Sequence, residues 1–486
     1  MKTIKKIGFV LSLIFLLSCE DYLDINSDPN NPTDATPDLI LPAAQLSVAS
    51  VIGGDYAIMG NMWCQYWTQN HTSNQYKEYD GFNLQPDFIE VRFQELYAGA
   101  LNDLKKVKQK SSQSEDWGFY LIATAMEAYT FQILADIYGE IPFTEANKGE
   151  LGIFSPHYEG GQLVYDSLLA RLNNALAKDL SAPTVTDPGN SDFIFGGDLD
   201  KWVQFVNTLK LKMYLRQVNV NAGAAKAGID ALYSGNADFL DTDAAVTGFQ
   251  DEANASNPLY EQDRRQLNTP KNIRASTTFV SFLQNNGDPR IDMLYEIPEA
   301  GGPVTGMRQG DYELSSLDLD AATISLATIN ATDPVHFFTY AESLFLQAEA
   351  AARGYGTGNA KNLYDQATLA SFAYYGLDGS SFIAPGGAYA YPDGSEAVNI
   401  EAIIMQKWAA QARVNGLEAW FDHLRTGFPL ENTSPSTFVP NQLNYPVNGL
   451  TSGKFPRRLL YPDREVSRNA NVPAQKDIFT PVWWDN

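Results

Sequence analysis

Residues able to do chemistry are sparse in this chain, and their spacing assembles no catalytic constellation. Its histidines are His71, His157, His336 and His423, and none pairs with another at helical spacing. Neither HExxH nor GxSxG occurs, and two cysteines, Cys19 and Cys64, are too few for a familiar zinc site. Residues 449–454 (GLTSGK) fall one residue short of a phosphate-binding loop and run into Phe455 where that loop needs Ser or Thr. Residues 354–358 (GYGTG) follow a helical pattern, whereas a dinucleotide turn must follow a strand, so both segments read as turns. With 58 acidic residues, carboxylate pairs are commonplace and spacing singles out no glycosidase dyad. Asp198-Leu199-Asp200 ahead of Trp202 reads as a helix cap rather than a calcium or catalytic site. The expectation is a protein that is not an enzyme and uses neither cofactor nor metal.

Binding chemistry is better represented. Residues 63–76 (WCQYWTQNHTSNQY) interleave aromatic rings with amides and hydroxyls. Sugar rings present flat C–H faces that stack on aromatic planes, while their hydroxyls need Asn, Gln and Asp partners. Trp63 and Trp67, four apart, also fit a buried helix stripe. Trp63 is assigned to that stripe, whereas residues 70–76 are too polar for a core helix and are read as functional surface. The expected ligand residues are Tyr66, Trp67, Asn70, Gln75 and Tyr76, completed by Tyr312, Tyr389 and Tyr391 from later glycine-rich segments.

The elements that must position these residues are helical. Residues 121–137 place Ile122, Ala125, Met126, Tyr129, Ile133 and Ile137 at three- and four-residue steps, and residues 201–218 repeat this with Trp202, Phe205, Val206, Leu209 and Met213. Asp333-Pro334 predicts a helix start, with apolar positions running through Phe337, Ala341, Leu344, Phe345 and Ala348 to Gly354. A second helix with Leu363, Ala367, Ala370 and Tyr374 on one face ends near Gly376, so the two form the α-hairpin unit of tetratricopeptide-like arrays. A third strong helix is predicted over residues 395–425, interrupted at Gly416 and ended by Gly427 and Pro429. Between them, residues 181–200, 236–275, 298–332 and 377–395 are long and rich in turn formers, as functional loops are.

At the N-terminus, Lys2, Lys5 and Lys6 precede an apolar run over residues 7–17, shorter than the roughly 20 residues of a spanning helix. With Leu16-Leu17-Ser18-Cys19, which looks like a lipobox, residues 1–18 are predicted to be a lipoprotein signal peptide and Cys19 the lipidated N-terminus. Residues 19–37 then read as an acidic tether and 38–486 as a single helical domain; no later segment is expected to span a membrane. Cys64 is left without a partner and is expected as a small buried hydrophobe. The formal charge of −24 makes nucleic acid an improbable partner, since phosphate backbones are held by clustered Lys and Arg.

Strings spread along the whole chain resemble the SusD/RagB family of nutrient-binding outer-membrane lipoproteins of Bacteroidetes. They are residues 19–26 (CEDYLDIN), 134–143 (LADIYGEIPF), 202–211 (WVQFVNTLKL), 287–290 (GDPR), 340–350 (YAESLFLQAEA), 406–408 (QKW) with 416–420 (GLEAW), 425–427 (RTG), and 457–462 (RRLLYP) with Glu465. The resemblance implies a mainly α, tetratricopeptide-like scaffold docked on a SusC-like TonB-dependent transporter, with irregular loops forming a shallow glycan site. It implies a cell-surface, lipid-anchored place on the outer membrane and a role in glycan capture for uptake. An oligopeptide ligand is the alternative within that reading, and a surface glycosidase the alternative outside it.

Overall fold

Four antiparallel helix pairs form, and the apolar periodicity places six of their eight helices, in a computed structural model that describes residues 35–267, 271–313 and 321–485. The residues read as a signal peptide, Cys19 and most of the residues read as a tether lie outside the described residues. The helices used below are α1 (Pro37–Ile52), α2 (Asp55–Trp63), α3 (Asn102–Ser114), α4 (Trp117–Tyr138), α5 (Gly161–Leu176), α6 (Leu199–Arg216), α7 (Ala222–Ser234), α8 (Thr277–Asn285), α9 (Tyr340–Ala352), α10 (Ala360–Ala373), α11 (Glu396–Gln411) and α12 (Gly416–Thr426). The pairs are α4/α5, α6/α7, α9/α10 and α11/α12, a mainly α, tetratricopeptide-like architecture.

α4 is buried along nearly its whole length, so the apolar stripe seen in the sequence is one face of a helix that is apolar all round. Its buried acids are satisfied locally: Asp136 accepts from the Tyr165 hydroxyl at 2.6 Å and from Trp484 Nε1 at 2.7 Å. α6 begins as expected, with the Asp198 side chain accepting from Lys201 N at 3.1 Å. The predicted start at Asp333 is wrong by one element. Residues 335–338 form a strand paired with Ala244–Val246, and α9 is capped by Thr339, whose side chain accepts from Glu342 N at 3.0 Å. Asp333 instead caps its own turn, accepting from Asn330 N, and pairs with Arg413 at 2.5 Å. Phe337 and Phe338 are thereby buried as strand residues rather than as a helix face.

The long helix predicted over 395–425 is split where expected. Arg413 takes a left-handed conformation, and α12 restarts at Gly416, capped by Asn415. A Cβ at Gly416 would lie 2.5 Å from Asn61 N, and one at Gly60 would lie 2.2 Å from Leu417 N. Glycine on both sides lets α2 and α12 touch backbone to backbone. One stretch departs from expectation: Pro37–Trp63 is apolar and long enough to cross a membrane by composition. It breaks into α1 and α2 at Gly53-Gly54 and buries Leu41, Val48, Met59 and Trp63, which makes it a core element. Cys64 is a free, buried thiol, as read from the sequence.

At the junction of α6, α9, α11 and α12 lies a cluster of buried charges, each at most 4% exposed: Lys212, Arg216, Lys407 and Arg425 against Glu342, Glu349, Glu418 and Asp422. Arg425 clamps Glu349 through two bonds of 2.5 and 2.7 Å and also reaches Asp422 at 2.9 Å. Lys407 sits 2.7 Å from Asp422, Lys212 sits 3.3 Å from Glu418, and Arg216 bonds Glu418. Burial opposes ionisation of Glu349, but Arg425 and Arg353 hold its carboxyl down to about 2. Glu342 is the poorly compensated member: its nearest cations stand 3.9 and 4.0 Å away, its oxygens lack hydrogen bonds, and burial raises its pKa.

Removing Glu349 takes both carboxylate bonds of its clamp from the buried Arg425 and leaves it with Asp422 alone, which Lys407 already shares, so Glu349→Ala should cost about 3–5 kcal/mol of unfolding free energy. Glu342→Gln should cost less than about 1 kcal/mol, because the cations it faces keep other partners. Urea titration followed by circular dichroism ranks the two; equal losses would mean that the network does not act through pairing.

Candidate ligand-binding surface

Strand β1 (Trp67–Gln69) pairs antiparallel with β5 (Ile273–Ala275), with Trp67 opposite Ala275, Thr68 opposite Arg274 and Gln69 opposite Ile273. The chain leaves β1 into a turn over residues 70–77 that is built from beneath by side chains. Gln69 Nε2 donates to Asn272 Oδ1 at 2.7 Å and to Ser73 Oγ at 2.5 Å, while Gln69 Oε1 accepts from Tyr76 N at 2.7 Å. Asn70 N donates to Asn272 O at 2.8 Å, and Asn272 Nδ2 passes the chain on to Asp263 at 3.0 Å. These polar groups are thus spent on holding the turn, which leaves His71, Thr72, Asn74, Gln75 and Lys77 at least partly exposed on its outer side.

Asp80 locks this turn to a distant segment. Its buried carboxylate accepts from Thr68 Oγ1 at 3.1 Å, from Gly310 N at 2.8 Å and from Gln309 Nε2. That tie sets Tyr312 against the turn: the Tyr312 hydroxyl donates to Lys77 O at 3.1 Å, and Lys77 Nζ lies 4.7 Å from the centre of the Tyr312 ring. Burial pushes the Asp80 carboxyl up to about 7, against the pull of Gly310 N and Thr68. Burial, with Arg274 nearby, lowers the His71 imidazole below its usual range, so this ring is neutral at pH 7.

The expected ligand residues divide into three groups. Gln75 and Tyr312 lie together on the half-exposed surface of the turn. Asn70 and Tyr76 belong to the same turn but face inward: Asn70 is 4% exposed and donates to Thr72 Oγ1 at 2.9 Å, and the Tyr76 ring packs on Tyr79. Tyr66 and Trp67 are core residues at 0% and 1% exposure and offer no ring face to a ligand. The Tyr66 hydroxyl donates to Trp408 O at 2.5 Å, and its ring abuts Phe279 and Trp408. Both rings are claimed by segments far along the chain, Tyr66 by Phe279 and Trp408 and Trp67 through the pairing of β1 opposite Ala275, something local composition does not reveal.

Tyr389 and Tyr391 are buried on another part of the molecule, with contacts that share no residue with the 70–77 turn. Tyr389 forms part of the wall of an open cleft of about 460 Å³ between α8, residues 388–392, α11 and residues 428–442. It is fixed there by its hydroxyl, which donates to Asp288 Oδ2 at 2.7 Å, and by the near-parallel rings of Phe282 and Phe382 at 6.0 and 5.4 Å between centroids. Sequence reading missed Asp80, Asn272, Gln309 and Phe428. The first three act through partners far along the chain, and Phe428 stands in a turn next to a proline with no aromatic neighbour in sequence to mark it.

A mainly helical, tetratricopeptide-like scaffold whose loops are stiffened by buried polar side chains is the class of protein this fold defines, and among its described residues no group of His, Cys, Asp and Glu is placed to hold a metal ion. Residues 29–462 match the SusD-like family described as "Starch-binding associating with outer membrane", and the chain belongs to that family. Among solved structures, a chitin-binding SusD homologue from Flavobacterium johnsoniae is 20% identical over 92% of this chain and 98% of its own, with a TM-score of 0.75. Another chitin-binding protein is 23% identical over 93% of this chain and 100% of its own, with a TM-score of 0.75. A SusD homologue from Bacteroides uniformis is 24% identical over 92% of this chain and 99% of its own, with a TM-score of 0.72. At these identities the likeness is one of fold. No curated protein compared with the chain is similar to it.

Because Asp80 holds its proton up to about 7 when folded, the folded state binds more protons than the unfolded one between about pH 4 and pH 7. Its contribution to stability therefore falls as pH rises through that window. Asp80→Asn removes this titration, so the variant's melting temperature relative to that of the parent should climb from pH 5 to pH 8 in scanning calorimetry. A flat difference would mean that the carboxyl ionises normally.

Proposed function

We propose that the protein captures glycans at the cell surface and delivers them to a SusC-like TonB-dependent transporter for nutrient uptake. The reading is supported first by membership of a family described as starch-binding and associated with the outer membrane, and by relatives named for chitin binding. The observation that carries it to particular residues is the 70–77 turn. Gln69 and Asn272 hold its inward groups and Asp80 ties the neighbouring strand to Gly310, so the side chains of Asn74 and Gln75, with the Thr72 hydroxyl that accepts from Asn70, are held in place near Tyr312 without further ordering. Preorganised donors and acceptors around one partly exposed ring suit a polyhydroxylated ligand bound shallowly. The anchor of the proposal is lipidation of Cys19 after removal of residues 1–18, with the body from residue 38 to 486 acting as one binding unit.

Tyr312→Ala and Asn74→Ala should each weaken binding of the recognised oligosaccharide, with stacking on the order of 1–3 kcal/mol by analogy with other planar ligands. Calorimetry against starch- and chitin-derived oligosaccharides reads this, and unchanged affinity in both variants would move the site elsewhere. Cys19→Ala should shift the protein from the membrane fraction to a soluble one, followed by fractionation and protease accessibility on whole cells; an unchanged membrane fraction would count against lipid anchoring.

A further inference from the structure

The cleft that Tyr389 helps to wall is built in the way a binding site is built. At about 460 Å³ it lies within the roughly 300–1,000 Å³ range of small-molecule sites. Its floor is rigid. Asp288 and Arg290 form a buried pair, with Arg290 Nη2 2.6 Å from Asp288 Oδ2; Asp288 also holds the Tyr389 hydroxyl, and Arg290 donates to Ser371 Oγ at 2.7 Å and to Gln406 Oε1 at 3.4 Å. With its oxygen turned to Arg290, Gln406 has its amide nitrogen left over as a donor on the cleft wall.

The wall and mouth carry the complementary features. Phe428 is half-buried, lines the cleft and makes no ring contact among the described residues, so it is the ring there with a face left to stack. Around it stand Asn286, Asn441 and Gln442, whose amide groups are not engaged across the cleft, together with Glu401. No Lys or Arg lines the space, which argues against phosphorylated or otherwise anionic ligands. A single carboxylate among four amides and an open aromatic face match an uncharged sugar chain.

We propose that this cleft is a second binding site for a neutral oligosaccharide, separate from the 70–77 turn, with Phe428 as the stacking ring and Gln406 as the fixed donor. The proposal rests on the reading that the chain binds glycans. A second site on the same body would hold one long chain at two points and raise its residence time without new affinity at either.

The test is calorimetry of the full mature chain with maltoheptaose, cellohexaose, xylohexaose and chitohexaose. Two binding events are expected for the recognised sugar. Phe428→Ala, and independently Val398→Arg, which places a bulky cation on the exposed rim, should each weaken one event by about tenfold or more while leaving the other and the melting temperature unchanged. Tyr312→Ala should do the reverse. A single event that is lost in Tyr312→Ala and indifferent to both cleft variants overturns the second site and leaves the glycan reading standing. No event with any of the four sugars overturns both, and binding of casein-derived peptides in the cleft in their place overturns the saccharide assignment.

Discussion

Eight charges shut away from water at the meeting of α6, α9, α11 and α12 constrain this structure more than any apolar contact does. Ionised groups in a dry interior cost several kcal/mol each unless paired, so the four helices are stable only in the arrangement that pairs them. The spacing makes the constraint tight. Lys212 and Arg216 lie one turn apart on α6, Glu342 and Glu349 two turns apart on α9, and Glu418, Asp422 and Arg425 run along one face of α12. Turning any of these helices by one residue would bury a charge against an apolar neighbour. A hydrophobic seam tolerates such slips far better, which is why polar pairing is suited to fixing the register of stacked hairpins.

From that junction, rigidity passes outward to the loops by polar ties. α12 begins at Gly416 against Gly60 of α2, and α2 leads directly into Gln65, whose side chain donates to Asn444 O at 2.6 Å and accepts from Thr278 Oγ1 at 2.7 Å. Three segments far apart in sequence are joined by one buried amide. Gln69 and Asp80 repeat the device for the 70–77 turn, and Asp288 with Arg290 repeats it for the cleft. In each case a loop that would otherwise lose conformational entropy on binding has lost it already on folding.

This division of labour explains what was legible in the sequence. Most helices of the hairpins announce themselves, α5 and α7 excepted, because their apolar spacing and caps are local, as with Asp198 and Ser395, whose side chains accept from the third residue onward. The failure at Asp333 has the same root: N-cap and proline signals are local, but Phe337 and Phe338 are claimed by strand pairing with residues some ninety positions earlier. The candidate surface was legible only as a composition. That residues 70–76 are too polar for a core can be read directly, and they do form a surface turn, yet which side chains face out depends on Asn272, Gln309 and Gly310. Tyr66 and Trp67 were misassigned because an aromatic next to amides looks the same whether the amides serve a ligand or the loop itself.

The same ambiguity bears on how such a scaffold changes ligands. An amide in a loop has one set of hydrogen bonds to give, and structure and ligand compete for it. Gln69 is wholly committed to the turn, whereas the side chain of Asn74 has no hydrogen-bond partner among the described residues; the two residues are of nearly equal chemistry and differ only in what the fold has asked of them. Outward positions such as Thr72, Asn74 and Gln75 can therefore be exchanged at little cost to the fold, while Gln69, Asp80 and Asn272 cannot. On the proposed glycan reading, specificity can drift on the outer side of the turn as long as the inner side keeps its bonds, and the buried charges behind keep the two sides in register.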